Sequence, residues 1–132
     1  MKSLTRIKIR LLFLLFFSLI FASCYNVEHD FKKFKTGKFK FEYQINGINK
    51  VTFFERNDSI EIETFEGKTD TSTIRWVNDG EYILKKLNPK NSAEKKAINM
   101  KILTTSKKSY TFEFGLVGSD EKQRGTVEKI SN

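Results

Sequence analysis

The 132-residue sequence is poor in the side chains that build disulfides, zinc sites and histidine-dependent active sites. It contains one cysteine, Cys24, and one histidine, His29. A single cysteine excludes an internal disulfide, and the two residues together fall short of the three or four ligands that a zinc site needs. No glycine-rich phosphate loop or dinucleotide-binding fingerprint occurs either. We therefore predict no metal, no cofactor and no catalytic residues, and expect that the protein is not an enzyme.

Long apolar runs are also scarce, and the one that is present lies near the start. Residues 11–23 carry no charge, and the ten residues before them carry four basic side chains and no acidic one. A helix that crosses a bilayer needs about 20 apolar residues, so this run is too short for that role. A basic start, a short apolar middle and small residues at the end are typical of a secretory signal peptide, which we predict for residues 1–23.

The run ends in Phe21-Ala22-Ser23-Cys24, which resembles a bacterial lipobox. The resemblance implies cleavage before Cys24, a diacylglycerol on its sulfur and a palmitate-like acyl chain on its new amino group, and thiolate chemistry suits cysteine to this lipidation. Two or more acyl chains give stable membrane anchoring. We predict a lipid-anchored protein of the cell envelope. Tyr25 follows the cysteine. By analogy with proteobacterial sorting, the absence of aspartate at this position favours the outer membrane.

The remaining chain is long enough for one domain. We predict a lipidated tether over residues 24–33 and a single β-domain over residues 34–132. The signal peptide holds four of the 24 basic residues and none of the 16 acidic ones, so its removal lowers the net charge from +8 to +4. The lysines are scattered among acidic residues, and we predict no nucleic-acid partner.

From residue 34 onward, apolar and polar residues alternate with the period of a half-buried strand. Asn46-Gly47 follows the first such segment and favours a type I′ hairpin turn. The sequence predicts an all-β, antiparallel up-and-down meander of about eight strands, closed into a small lipocalin-like barrel or left as a strongly curved open sheet. The predicted strands cover residues 38–45, 50–56, 59–65, 70–77, 81–87, 97–104, 109–116 and 123–130.

An eight-stranded barrel is just wide enough to be filled by side chains or to hold one small ligand, and the sequence leaves both alternatives open. Nine of the 13 phenylalanines follow the signal peptide, so the interior could be rich in aromatic rings. The predicted lining of a ligand cavity is Phe39, Phe41, Phe53, Phe112 and Phe114.

The segment around residue 60 contains a pair of glutamates and a tripeptide that resembles a glycosylation acceptor. Glu61 and Glu63 alternate with Ile60 and Ile62, and we predict that the glutamates lie on an exposed face opposite the core and are not a catalytic pair. The tripeptide Asp58-Ser59-Ile60 resembles the acceptor of Bacteroidota protein O-glycosylation. Ser59, at a predicted hairpin tip, is therefore a candidate glycosylation site.

The lipobox is followed by the segments FKTGKFKFEY, RNDSIEIETFEGKTDTSTIRW, GEYILKKLNPK and QRGTVEKI. Together these features resemble a group of small Bacteroidota lipoproteins of the flavobacterial type, and the resemblance spans nearly the whole chain after the signal. The resemblance implies the class and location of the protein but no activity. Members often carry the name DNA topoisomerase IV, yet such an enzyme needs a tyrosine nucleophile, an acidic magnesium cluster and an ATPase module on a far longer chain.

Two functions are compatible with these features. The first is a membrane-anchored envelope lipoprotein whose non-catalytic β-domain is an interaction or structural module for an envelope protein or polymer. The second is a lipocalin-like carrier of a small apolar ligand. A cavity lined by the predicted phenylalanines favours the carrier, whereas a filled interior favours the interaction module.

Overall fold

The structure, a computed structural model, describes residues 29–132. Within this range no helix is long and apolar enough to span a bilayer. A 3₁₀-helix, Lys32–Phe34, precedes eight strands. The strands are β1 (Gly37–Ile45), β2 (Ile48–Arg56), β3 (Ile60–Phe65), β4 (Lys68–Asn78), β5 (Glu81–Lys86), β6 (Ile98–Thr105), β7 (Ser109–Leu116) and β8 (Gln123–Ser131).

The strands form a closed antiparallel barrel in chain order, in which β8 pairs back with β1. This confirms the predicted up-and-down barrel and excludes the open sheet. The β1–β2 turn has φ angles of 50° at Asn46 and 77° at Gly47, as a type I′ turn requires. The β3–β4 turn repeats this geometry at Glu66 and Gly67, with φ angles of 48° and 75°.

The pairing register decides which side chains face the barrel interior, because directly paired residues share a face of the sheet. In β1, Phe39 and Phe41 lie opposite Phe54 and Thr52 of β2. The buried core then follows the inward positions around the barrel. It consists of two clusters, one of Phe34, Phe39, Ile102, Tyr110, Phe112 and Val127, and the other of Ile74, Tyr82 and Leu84.

Strand β3 turns its glutamates toward the interior, so the predicted orientation of this strand was wrong. Glu61 is only 6% exposed, whereas Ile62 is 43% exposed. Glu61 lies directly opposite Arg56 of β2, which is 2% exposed and therefore needs an acidic partner inside the barrel. Alternation shows which residues share a face, but it does not show which face is buried.

The two ends of the barrel differ. At the closed end, the segment of residues 29–36 packs against the barrel through Phe31 and Phe34, and Phe34 is completely buried in the core. Lys129 Nζ also donates a hydrogen bond to the carbonyl oxygen of Lys33 there (2.6 Å). The opposite end, which we call the open end, is formed by the β1–β2 and β3–β4 turns and by the loops of residues 87–97 and 117–122.

Candidate functional site

A cavity of about 570 Å³ lies inside the barrel. Strands β1–β3 and β5–β8 contribute to its wall, from Ile45 and Gln123 near the open end down to Arg56 and Tyr110 near the closed end. Pockets that hold small molecules commonly measure about 300–1,000 Å³. The cavity is therefore large enough for one small ligand.

One side of the cavity is a wall of aromatic rings from β1 and β7, which we call the aromatic wall. Phe41 stacks on Tyr43 with ring centroids 5.0 Å apart and meets Phe112 edge-on at 5.3 Å. Phe112 in turn stacks on Phe114 at 5.4 Å. The rings come together because alternate residues of a strand point to one face and because β1 and β7 lie on either side of β8.

A glycine in β8 makes room for two of these rings. Gly125 lies opposite Phe112 in the β7–β8 register. A Cβ atom at this position would lie 2.6 Å from Phe41 Cε2 and 2.9 Å from Phe112 Cε1, closer than carbon atoms can pack. The absence of a side chain at Gly125 thus allows the aromatic wall to form.

The part of the cavity nearest the closed end is polar, and its centre is the guanidinium of Arg56. Arg56 Nε donates to Glu61 Oε2 (2.9 Å), and Nη1 donates to the carbonyl oxygen of Phe34 (3.0 Å). Nη2 donates to both Tyr82 Oη (2.7 Å) and Tyr110 Oη (3.0 Å). We call these five residues the Arg56 network. It links β2, β3, β5 and β7 to the 3₁₀-helix.

The charges of the Arg56 network are fixed by its contacts. Burial opposes the charge on Arg56, but the oxygens of Tyr110, Tyr82 and Glu61 outweigh this effect and hold the pKa of the guanidinium above its ordinary value. Burial raises the pKa of both tyrosines, so their hydroxyls stay protonated at neutral pH. The network therefore contains an arginine cation that is neutralised by Glu61.

Glu63, two residues along β3, differs from Glu61 in having no partner. Its side chain borders the cavity and, among residues 29–132, its carboxylate makes no hydrogen bond or ion pair. It is reached by water, but the surrounding wall desolvates it in part and thereby raises its pKa. The charge of Glu61 raises that pKa further, Lys86 lowers it, and Asp70 raises it.

The five phenylalanines that the sequence predicted for the cavity do not all reach it. Phe41, Phe112 and Phe114 line it. Phe39 is completely buried in the core, where it stacks on Phe54 with centroids 5.0 Å apart. Phe54, its neighbour on β2, occupies the cavity position that the sequence analysis gave to Phe53.

Phe53 points out of the barrel, so the prediction that it lines the interior was wrong. It is 49% exposed because Phe53 and Phe54 are consecutive in a strand and must face opposite sides. With Ile62 and Ile130, Phe53 borders a smaller depression of about 230 Å³ on the outer surface of β8, β1, β2 and β3. We call this depression the outer groove.

Of the two predicted modification sites, Ser59 lies at the closed end of the barrel. Ser59 is exposed in the loop between β2 and β3, where the side chain of Asn57 accepts hydrogen bonds from the backbone N–H groups of Ser59 (2.9 Å) and Ile60 (2.8 Å). A hydroxyl in this loop is accessible to a modifying enzyme. Cys24 lies outside the described residues.

The sequence analysis missed the Arg56 network, although a signal for it was present. In the segment VTFFER, the period of two places Arg56 on the same face as Thr52 and Phe54. An arginine on a core-facing position needs an acidic partner, and Glu61 follows five residues later. Within the part of the chain that the structure describes, no group of three or more His, Cys, Asp or Glu side chains could hold a metal ion.

Comparison with known proteins gives no relative for this chain. No family model, no curated protein and no solved structure matches it.

Proposed function

We propose that this chain is a membrane-anchored binding protein that holds one small, mainly apolar ligand inside its barrel. The observation that carries the proposal is the cavity of about 570 Å³ with its aromatic wall. Burial of apolar surface contributes roughly 25 cal/mol per Å², so a ligand that covers the rings of Phe41, Phe112 and Phe114 gains affinity from their contact. A barrel filled by its own side chains would offer no such surface.

The proposal includes a lipid anchor on Cys24, as the lipobox resemblance implies, and a location in the cell envelope. Its test is intact-mass analysis of the protein purified from its native host. We expect the mass of residues 24–132 with a diacylglycerol and an acyl chain added. Residues 1–23 still in place, or a bare thiol on Cys24, would contradict the anchor.

Ligand binding is tested with N-phenyl-1-naphthylamine, an uncharged apolar dye that fluoresces when it leaves water. We expect the dye to bind the barrel, residues 29–132, and Ile98→Trp to weaken binding by about tenfold or more, because Ile98 borders the cavity. Ile62→Trp is the matched control, since Ile62 lies on the outer surface of the barrel. Native mass spectrometry of protein from its own cells should show a bound small molecule. The carrier function would be refuted if Ile98→Trp left the affinity for the dye unchanged and no small molecule co-purified with the protein.

The outer groove favours a second candidate function, an interaction or structural module for an envelope protein or polymer. The exposed apolar side chains of Phe53, Ile62 and Ile130 meet there, and such clusters often mark contact surfaces. If Ile62→Trp and not Ile98→Trp abolishes dye binding, the outer groove is the binding surface and the second candidate replaces the first.

A further inference from the structure

The charged groups around the cavity are paired in a way that leaves one of them unmatched. We propose that the ligand of the cavity is an amphiphile with an organic cation, such as a primary or quaternary ammonium group, which pairs with the Glu63 carboxylate while its apolar part contacts the aromatic wall. This inference rests on the proposed carrier function and specifies its ligand class.

Arg56 is poorly suited to bind an anionic ligand. A guanidinium has five N–H donors, and four of its hydrogen bonds go to Glu61, Phe34, Tyr82 and Tyr110. Its charge is already neutralised by Glu61 at 2.9 Å. A ligand carboxylate would therefore have to displace Glu61 or bring a second negative charge beside it.

The other arginine that borders the cavity is also paired. Arg124 Nε and Nη2 lie 3.0 and 2.9 Å from Glu113 Oε2. Lys86 of β5, the cation that acts on Glu63, binds Asp70 at 3.0 Å and Glu94 at 3.4 Å. The two arginines that border the cavity and Lys86 thus each have a carboxylate partner.

Glu63 is the charged residue of the cavity wall that lacks a partner among the described residues. Glu61 lies on the same strand, and Asp70 lies directly opposite Glu63 on β4. Arg56 neutralises Glu61 and Lys86 pairs with Asp70, so the uncompensated negative charge at this side of the cavity is that of Glu63, which attracts a cation and repels an anion. A bound ammonium group would supply the positive charge that pairs with the Glu63 carboxylate.

The ring of Phe54, which lies directly opposite Glu63 on β2 and lines the cavity, adds to this preference. Ring faces carry negative electrostatic potential and attract ammonium groups within about 6 Å of the ring centroid. The same barrel already uses this interaction with its own cations, since the Arg56 guanidinium lies 4.9 Å from the ring centroid of Phe39 and 4.6 Å from that of Tyr82. A cavity with an unpaired carboxylate on β3 and a wall of rings on β1 and β7 is a suitable environment for a cationic amphiphile.

The test compares three water-soluble probes of the same shape, namely 4-phenylbutylamine, 4-phenylbutan-1-ol and 4-phenylbutyrate. Their binding to the mature lipidated protein, residues 24–132, in phosphatidylglycerol nanodiscs, whose lipid carries no ammonium group, is measured by isothermal titration calorimetry at neutral pH, with empty nanodiscs as the blank. We expect the amine to bind about tenfold more tightly than the alcohol and the carboxylate to bind most weakly. Glu63→Gln should bring the amine down to the affinity of the alcohol.

Glu55→Gln is the matched control, because Glu55 faces outward from β2 and pairs only loosely with Lys38 at 3.9 Å. It should leave the order of the three probes unchanged. Equal affinities for the three probes, tightest binding of the carboxylate, or an amine preference that survives Glu63→Gln would overturn the inference while leaving the carrier function in place. If none of the probes binds above the blank, the carrier function itself fails.

Discussion

Replacing Arg56 by methionine should destabilise the barrel by about 3–5 kcal/mol, because removal of one member of a buried ion pair leaves the other charge without compensation. Methionine keeps an unbranched apolar stem that can still pack against the rings of Phe39 and Phe54, whose centroids lie 4.9 and 5.2 Å from the guanidinium carbon. The loss therefore comes mainly from Glu61, which keeps its carboxylate in a buried position, and from the acceptors that Arg56 no longer satisfies. Since domains of this size are stable by about 5–15 kcal/mol, the variant should be marginal.

A double-mutant cycle isolates the ion pair from these other losses. We expect Arg56→Met combined with Glu61→Met to cost about 2–3 kcal/mol less than the sum of the two single changes, because neither charge then remains buried alone. The assay is urea unfolding of residues 29–132 followed by the fluorescence of Trp76, the one tryptophan of the chain. Its ring lies 4.6 Å from that of Tyr82 and so reports on the Arg56 network.

Two results would refute the reasoning. A cost of less than about 1 kcal/mol for Arg56→Met would mean that the pair contributes no more than an exposed ion pair. Additive single changes would mean that Arg56 and Glu61 do not depend on each other, despite their distance of 2.9 Å.

Three further predictions follow from the cavity and the loops. Gly125→Ala should cost about 1–3 kcal/mol in urea unfolding, because its methyl group overlaps the rings of Phe41 and Phe112; an unchanged midpoint would contradict this. The raised pKa of Glu63 means that the folded state holds the Glu63 proton more tightly than the unfolded chain does. The contribution of Glu63 to stability therefore falls as pH rises through the interval between the unfolded and the folded pKa. Glu63→Gln should abolish this part of the pH dependence of Tm, and a profile identical to that of the unchanged protein would contradict the prediction. Peptide mass spectrometry of the native protein should find a glycan on Ser59, and recovery of the unmodified peptide alone would end that proposal.

The strands and turns were predictable from the sequence because their signals are local. Alternation gave β7 with its observed bounds, and Asn46-Gly47 gave the β1–β2 turn. Both signals depend on neighbouring residues, namely on the period of the strand and on the ease with which asparagine and glycine adopt positive φ. Closure of the barrel was one of the two predicted alternatives, because eight consecutive antiparallel strands leave two edges that pairing can remove; the sequence did not decide between closure and a strongly curved open sheet.

The interior of the barrel was harder to predict, because the inward face of a strand is decided by residues far away in the sequence. Ile60 and Ile62 are more hydrophobic than Glu61 and Glu63, and on composition alone they should be buried. The observed face is the opposite one because Arg56, on the neighbouring strand, lies inside and pairs with Glu61. A partner on an adjacent strand thus outweighed the local pattern.

Only part of the candidate site was predicted, because some of its features also depend on residues far away in the sequence. The aromatic wall was predicted through Phe41, Phe112 and Phe114, which follow the simple alternation of their strands. Phe53 was misplaced because a pair of adjacent phenylalanines does not show which of them is inside. The unpaired state of Glu63 depends on the partners that Lys86 and Arg124 find elsewhere in the fold, and no local pattern contains that information.

The packing of residues 29–36 against one end of the barrel has a consequence for how the molecule would be oriented in the envelope. With lipid on Cys24, four residues separate the anchor from His29, and the five residue-to-residue steps of a fully extended chain reach roughly 18 Å. The closed end of the barrel would then lie near the lipid headgroups, and the open end would face the aqueous compartment. If the proposed carrier function holds, its ligand would enter from the aqueous side and would not pass directly from the bilayer into the barrel.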